Sequence, residues 1–296
     1  MTKQIMVGGV PVGGGAPVTI QSMCNTRTDD VTATVKQILR LEAAGCRIIR
    51  VAVPDMAAAR AVGAIREQIH IPLVVDIHFD YRLALECVAA GCDAVRINPG
   101  NIGGEDRVKA VANACKGKGL PIRIGVNGGS LEKPLLAKYG GVTAEALVES
   151  AFGHIALLNR YDFDDICVSL KSSSVPITMA AYRLMSEKSN YPLHLGVTET
   201  GTPRMGVLKS AVGIGGLLAM GIGDTIRVSL SADPVEEVYA ARDILKVSGV
   251  RKEGPELISC PTCGRTRIDP LKLILSFLKS MDLIVLQILQ KSIMAM

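Results

Sequence analysis

The chain has 296 residues, of which 48% are hydrophobic, 21% charged and 3% aromatic, and its formal net charge is +5. This length is enough for one large core or two modest domains. A mild charge without a basic run, and so few aromatic rings, argue against a nucleic-acid partner, because phosphate-backbone binding needs clustered cations and single-strand binding needs rings for stacking.

Short apolar segments with polar ends alternate with amphipathic helical segments along the first 250 residues. The predicted strands lie near residues 18–23, 48–54, 72–77, 94–99, 121–127, 166–171, 193–199 and 225–230. Helices are predicted at 30–44, with Thr28 or Asp29 as the cap, and at 143–159, opened by Thr143. Eight strand–helix units over about 250 residues are typical of an α/β TIM barrel. A doubly wound sheet would show a G-x-G-x-x-G turn after its first strand, which this sequence lacks.

The pattern changes after the eighth unit. We predict three parts: a substrate-binding barrel at 1–250, a linker with the start of a second domain at 251–269, and an atypical apolar helical tail at 270–296. Lys272, Lys279 and Asp282 interrupt the tail, so it lacks the roughly 18 consecutive apolar residues of a membrane span. No membrane association is expected.

Cysteine usage indicates a cytoplasmic protein. The eight cysteines are mostly isolated, and no apolar signal-peptide core follows Met1. Cys260-Pro261-Thr262-Cys263 is the exception. It is half of a zinc site, the beginning of an iron–sulfur site that needs further ligands, or a redox dithiol.

Four predicted strands carry an arginine between apolar neighbours. The triplets are Ile49-Arg50-Val51, Val95-Arg96-Ile97, Ile122-Arg123-Ile124 and Ile226-Arg227-Val228. An unpaired buried charge is very costly, so these side chains need an anion to meet.

Every predicted strand also ends in polar residues, and a TIM barrel builds its active site at the carboxyl ends of its strands. These residues are Gln21, Ser22, Arg50, Asp76, His78, Arg96, Asn98, Arg123, Asn127, Ser169, Lys171, Thr198, Glu199, Arg227 and Ser229. Because arginine matches phosphate oxygens bidentately, we predict a small phosphorylated or diphosphorylated substrate. The alternative is that each arginine pairs with a neighbouring carboxylate.

Three features are left with two interpretations each. His78 is either a proton shuttle or a hydrogen-bonded neighbour of Asp76, and His194 is more readily a satisfied core histidine than a functional one. The segment Gly213-Ile214-Gly215-Gly216 either cradles phosphate or allows close helix packing.

Several motifs resemble one family. They are Gln21-Ser22-Met23, Asn25-Thr26-Arg27-Thr28, Asp76-Ile77-His78-Phe79-Asp80, Arg96-Ile97-Asn98-Pro99-Gly100-Asn101-Ile102-Gly103, Arg123-Ile124-Gly125-Val126-Asn127, Gly221-Ile222-Gly223-Asp224-Thr225, Arg227-Val228-Ser229-Leu230 and the Cys260–Cys263 motif. From Val7 to about Asp269 the sequence resembles the flavodoxin- or ferredoxin-dependent 4-hydroxy-3-methylbut-2-en-1-yl diphosphate synthase family.

The resemblance implies an iron–sulfur oxidoreductase of the methylerythritol phosphate route to isoprenoids. Its barrel would bind 2-C-methyl-D-erythritol 2,4-cyclodiphosphate, and a C-terminal domain would carry a 4Fe-4S cluster. Two electrons from flavodoxin or ferredoxin would open the ring and release the C3 oxygen as water. A homodimer is implied, in which one subunit's cluster domain caps its partner's barrel.

The resemblance also implies residue roles. The diphosphate would be held by Arg50, Arg96, Asn98, Arg123, Asn127, Lys171, Arg227 and Ser229. Glu199 would be the carboxylate at the reacting carbon, with Asp76 and Thr198 nearby, and Cys260 and Cys263 would be the first two cluster ligands.

The sequence departs from the family from Pro270 onward. The family's third cysteine and its glutamate ligand have no counterpart, since no cysteine follows Cys263. We therefore expect a truncated or frameshifted cluster domain and a chain that binds substrate without reducing it. The alternatives are a non-redox TIM-barrel enzyme acting on a phosphorylated small molecule, or a non-catalytic binding scaffold.

Overall fold

The computed structural model describes residues 1–252 and the single positions 269, 272 and 276. Met1–Lys252 forms one compact unit, and the remaining residues are assigned to a separate unit. The predictions for Cys260, Cys263 and the apolar tail therefore concern residues outside those described. Among the described residues, no helix is long and apolar enough to cross a membrane.

The described residues form strands that alternate with helices. The strands are β1 (Ile5–Val7), β2 (Val10–Val12), β3 (Thr19–Met23), β4 (Ile48–Ala52), β5 (Leu73–Asp76), β6 (Ala94–Ile97), β7 (Ile122–Asn127), β8 (Ile166–Lys171), β9 (His194–Leu195) and β10 (Thr225–Ile226). The α-helices are α1 (Val31–Ala44), α2 (Met56–Arg66), α3 (Tyr81–Ala89), α4 (Glu105–Lys118), α5 (Lys133–Tyr139), α6 (Ala144–Asn159), α7 (Val175–Lys188), α8 (Pro203–Ser210), α9 (Gly216–Ala219) and α10 (Pro234–Val247). A 3₁₀-helix spans Gly128–Ser130, and a π-helical segment, Ala211–Gly215, joins α8 to α9.

The eight strands β3 to β10 form one parallel sheet that closes on itself. Its order is β8-β7-β6-β5-β4-β3-β10-β9, and the parallel bridge between Val168 and Leu193 joins its two ends. Buried apolar residues of the strands and helices form one continuous core around this ring. The predicted TIM barrel is confirmed.

Tyr182 of α7 reinforces the joint between β8 and β9. Its buried hydroxyl accepts a hydrogen bond from the Leu170 backbone N–H (3.0 Å) and donates one to the His194 carbonyl. Between β8 and β9 the backbone pairing is limited to one bridge. The Tyr182 hydroxyl therefore joins these two strands where backbone hydrogen bonds join the other neighbouring strands.

The ends of some elements differ from the prediction. The regular ladders of β9 and β10 are two residues long, so Thr198, Glu199 and Ser229 lie in the loops that follow. Thr143 caps α6 as predicted. The cap of α1 is Asp30, which accepts from the Ala33 N–H, so the predicted Thr28 or Asp29 cap was wrong.

The antiparallel hairpin β1–β2 was not predicted from the sequence. Its inward side chains pack against residues near the starts of the barrel strands, in an apolar cluster of Ile5, Val7, Val10, Val12, Ile48, Val74, Ala94 and Cys167. The hairpin therefore closes the amino-terminal end of the barrel. The signal was present: Gly8-Gly9 between valines is a two-residue hairpin turn, and Gly8 has a φ of 55°.

The glycine segment before α9 packs closely against the barrel. A Cβ on Gly213 would lie 2.7 Å from Val197 Cγ2, and one on Gly216 would lie 2.9 Å from Met179 Cε. Of the two interpretations of this segment, close helix packing accounts for the glycines.

Candidate anion-binding active site

Five cationic side chains converge inside the barrel. Arg50, Arg96, Arg123 and Lys171 are buried, and Arg227 is half-buried. Burial lowers the pKa of Lys171 well below its usual value, and the nearby charges of Arg50, Arg227, Arg123 and Arg96 lower it further. The strands thus bring the predicted cations together.

Asp76 at the end of β5 pairs with two of these cations. Arg96 Nη1 donates to Asp76 Oδ1 at 2.9 Å, and Arg50 Nε lies 3.5 Å from Asp76 Oδ2. Burial alone would raise the pKa of Asp76, but Arg50 and Arg96 outweigh it and bring the pKa down to about 2. His78 is 52% exposed, with Nε2 at 3.8 Å from Asp76 Oδ1, so it lies at the rim.

Gly125 makes room for Arg96. A Cβ on Gly125 would lie 2.3 Å from Arg96 Nε and 2.4 Å from Nη2. Since Gly125 faces the barrel interior, any side chain there would displace the guanidinium.

Arg123 is held without a carboxylate. Its Nη1 donates to Gln21 Oε1 at 2.5 Å and lies 3.2 Å from His194 Nδ1, while Nε and Nη2 have no hydrogen-bond partner among the described residues. Burial lowers the pKa of Arg123 to about 10, which leaves it charged at neutral pH. His194 is completely buried and also leaves its Nε2 without a partner, so it is not the fully satisfied core histidine that was predicted.

Lys171 at the end of β8 lies over Gly196. A Cβ on Gly196 would lie 3.0 Å from Lys171 Nζ. Within the described part of the chain, no hydrogen bond or ion pair is found for this buried ammonium group.

Arg227 contacts the carboxylate of Glu237, a residue that was not predicted from the sequence to belong to the site. Its Nη2 lies 3.4 Å from both carboxylate oxygens of Glu237 on α10, and Glu237 also accepts from the Leu230 N–H at 3.0 Å. Burial raises the pKa of Glu237, and Arg227 opposes the shift. A glutamate on the buried face of a helix was the available signal.

The alternative in which every cation has its own carboxylate therefore does not hold. Asp76 and Glu237 pair with three arginines, and the described residues provide no carboxylate partner for Arg123 or Lys171. The site has an excess of positive charge in a buried environment, which favours an anionic ligand.

A cavity of about 560 Å³ opens beside this cluster. It is lined by Asn127, Gly128, Gly129, Ser130, Val142, Ser172, Ser173, Ser174, Ile177, Thr198 and Glu199. Glu199 is exposed and has a φ of 54°, a left-handed conformation that is uncommon for glutamate and that clusters at functional sites. The adjacent Thr200 anchors this loop by donating to the Ser229 carbonyl at 2.6 Å.

The remaining predicted polar residues occupy the same end of the barrel. Buried Asn98 accepts from the Gly100 N–H at 3.1 Å, and buried Ser169 contacts the Tyr182 hydroxyl. Behind Gly100, His154 Nε2 lies 2.9 Å from Glu132 Oε1. This pair supports the loop after β6, a role that sequence analysis did not assign to His154.

The described residues do not form a metal centre. They contain no group of three or more His, Cys, Asp or Glu side chains arranged to hold a metal ion. Their six cysteines are buried and free, and burial raises the pKa of thiols such as Cys24 to about 12. These thiols therefore do not fit an iron–sulfur cluster, which needs thiolates.

Comparisons with known proteins agree with the geometry. Residues 2–242 match the family described as the GcpE TIM-barrel domain. The chain is 60% identical over 268 residues to 4-hydroxy-3-methylbut-2-en-1-yl diphosphate synthase (flavodoxin) of Ruminiclostridium cellulolyticum, an alignment covering 90% of this chain and 76% of that protein. It is 59% identical over 273 residues to the protein of the same name from Caldanaerobacter subterraneus, covering 92% and 77%. The chain belongs to the 4-hydroxy-3-methylbut-2-en-1-yl diphosphate synthase family.

Solved structures outside this synthase family share the fold. Dihydropteroate synthase of Yersinia pestis superposes with a TM-score of 0.60 at 15% identity, covering 85% of this chain and 100% of that one. N-acetylneuraminic acid synthetase of Leptospira borgpetersenii gives 0.59 at 14% identity, covering 86% and 93%. At these identities the likeness concerns the barrel alone.

Proposed function

We propose that this chain acts as a 4-hydroxy-3-methylbut-2-en-1-yl diphosphate synthase whose barrel binds 2-C-methyl-D-erythritol 2,4-cyclodiphosphate for reductive ring opening and dehydroxylation. The observation that supports this most directly is the buried cation cluster, in which Arg123 and Lys171 have no carboxylate partner among the described residues. A cyclic diphosphate supplies the missing negative charge, and membership of the family supplies the reaction.

The cation cluster is the proposed diphosphate site. Arg123 offers unpartnered N–H donors on Nε and Nη2, and Lys171 adds a buried ammonium charge near it. Asn98, Asn127 and Ser229 lie at the same end of the barrel and complete the proposed diphosphate site. Charge-assisted hydrogen bonds in a buried site are strong and fix orientation as well as affinity.

Glu199 is assigned to the reacting end of the substrate. It lines the open cavity next to Thr198, whereas the cations lie deeper in the barrel. A diphosphate held by the cluster would direct its carbon skeleton toward this cavity. Glu199 would then hold or deliver a proton at the departing oxygen.

The reducing equivalents are assigned by family membership. The family's 4Fe-4S cluster supplies two electrons when bound, and the names of the relatives indicate flavodoxin as the donor. Cys260 and Cys263 remain the ligands that the family resemblance implies, and the described cysteines offer no alternative set. A homodimer and a cytoplasmic location are part of the same proposal.

Titration calorimetry tests substrate binding. The cyclic diphosphate should bind with roughly 1:1 stoichiometry, and the same polyol without phosphates should not bind, because the cluster recognises charge. The affinity should fall only moderately as salt is added, since the attraction is electrostatic but buried charges are screened less than exposed ones. Equal binding of both compounds would contradict the assignment.

Turnover tests the reaction. The protein reconstituted anaerobically with iron and sulfide and supplied with a strong reductant should form 4-hydroxy-3-methylbut-2-en-1-yl diphosphate, in contrast to the expectation from the atypical tail that the chain binds substrate without reducing it. Cys260→Ala and Cys263→Ala variants should lose turnover and keep substrate binding. Unchanged conversion in both variants would instead favour a non-redox barrel enzyme.

A further inference from the structure

The cations of the site are held in place in two different ways. Arg50 and Arg96 contact Asp76, and Arg227 contacts Glu237, so a carboxylate offsets part of their charge. Arg123 is held by Gln21 Oε1 and His194 Nδ1, which are neutral acceptors.

The contact with Arg123 fixes the tautomer of His194. Arginine nitrogens donate and never accept, so Nδ1 of the ring must accept and Nε2 must carry the proton. Burial lowers the pKa of His194 well below its usual value, and the charges of Arg123, Lys171, Arg50 and Arg227 lower it further. The ring is therefore a neutral acceptor at physiological pH.

Gln21 contacts Arg123 although the two residues are 102 positions apart in the sequence. It is 3% exposed, and its Nε2 has no hydrogen-bond partner in the part of the chain that the structure describes. A glutamate would fill the same space and pair with the arginine more strongly. The amide positions the guanidinium without neutralising it.

We infer that Gln21 and His194 are positioning residues that orient Arg123 through neutral hydrogen bonds, so that its full positive charge is kept for the anionic ligand. This inference deepens the proposed function and rests on its anion site. Gln21 and His194 act through Arg123; they belong to the buried layer beneath the ligand, and no catalytic role is assigned to them.

The test is Gln21→Glu, which changes the charge and preserves the shape. The new carboxylate should pair with Arg123, so the affinity for inorganic pyrophosphate measured by calorimetry should fall at least tenfold. The melting temperature should be unchanged or higher, because a lone buried cation gains a partner. A purely structural role for Gln21 would make affinity and melting temperature fall together.

Gln68→Glu is the matched control, because Gln68 is exposed and its substitution adds the same charge outside the barrel. Its pyrophosphate affinity should match that of the parent protein. Unchanged affinity in a folded Gln21→Glu protein overturns the inference and leaves the proposed function intact. If the parent protein does not bind pyrophosphate, the proposed anion site is contradicted together with the inference.

Two further measurements test the inference if the Gln21→Glu protein does not fold. Gln21→Met removes the acceptor without adding charge, and pyrophosphate affinity should fall severalfold. Nitrogen-15 NMR of the four histidine rings should show one ring, absent in His194→Gln, as the neutral Nε2–H tautomer from pH 5 to 8. A titrating His194 ring, or an Nδ1–H tautomer, contradicts the inference.

Discussion

The two ends of the barrel use the same strands for opposite purposes. At the amino-terminal end, Ile5 and Val12 of the hairpin belong to one apolar cluster with Ile48 and Val74. Toward the carboxyl-terminal end, two buried carboxylates, Asp76 and Glu237, pair with three of the five cations. The difference teaches that the closed end is stabilised by apolar packing alone, while the open end keeps buried charges that its own carboxylates only partly compensate.

The largest expected effect comes from removing the shared carboxylate. Asp76→Asn leaves Arg50 and Arg96 buried without a counter-charge and should lower the free energy of unfolding by about 3–5 kcal/mol. Chemical denaturation with and without pyrophosphate measures this, and the ligand should restore part of the loss. A loss below about 1 kcal/mol, the typical value of an exposed pair, would mean that the pair is solvated.

The same carboxylate makes a pH prediction. Its pKa is about 2 in the folded protein against 3.8 normally, so its contribution to stability is complete above about pH 4 and disappears as the pH falls through 2. In Asp76→Asn this part of the acid sensitivity should be absent.

The closed end should affect stability without affecting binding. Ile5→Ala creates a cavity in the hairpin cluster and should reduce the free energy of unfolding by about 2–5 kcal/mol. Calorimetry should show pyrophosphate affinity within about twofold of the parent protein. A much larger change in affinity would show that the two ends are coupled.

At the open end, a substitution should affect ligand binding without lowering stability. Lys171→Met removes a buried cation that has no partner among the described residues, so the free energy of unfolding should stay the same or increase. Pyrophosphate affinity should fall roughly 10- to 100-fold, the equivalent of one charge-assisted hydrogen bond. Retained affinity would exclude Lys171 from the anion site.

The smallest expected effect comes from replacing one glycine by alanine at each end of the barrel and comparing pyrophosphate affinities. Gly125→Ala puts Cβ 2.3 Å from Arg96 Nε and should displace the guanidinium, weakening pyrophosphate binding by about tenfold. Gly9→Ala in the hairpin turn is the control, since a Cβ there meets no atom within 4 Å. Equal affinities in the two variants would argue that Arg96 does not need its observed position.

Local sequence pattern was enough to predict the barrel and its cation cluster. Four arginines between apolar neighbours in predicted strands indicated buried cations before the fold was known. The partners of the cations could not be found in this way, because Gln21 and Glu237 come from distant elements. The hairpin was missed because each of its strands has only three residues, too few for a periodic signal.

The joint between β8 and β9 separates the two halves of the proposed chemistry. Lys171 ends one of these strands, and the loop carrying Glu199 follows the other, yet one backbone bridge and the Tyr182 hydroxyl are the connections between them described above. These few connections therefore set the distance between the proposed phosphate-binding lysine and the proposed reacting carboxylate.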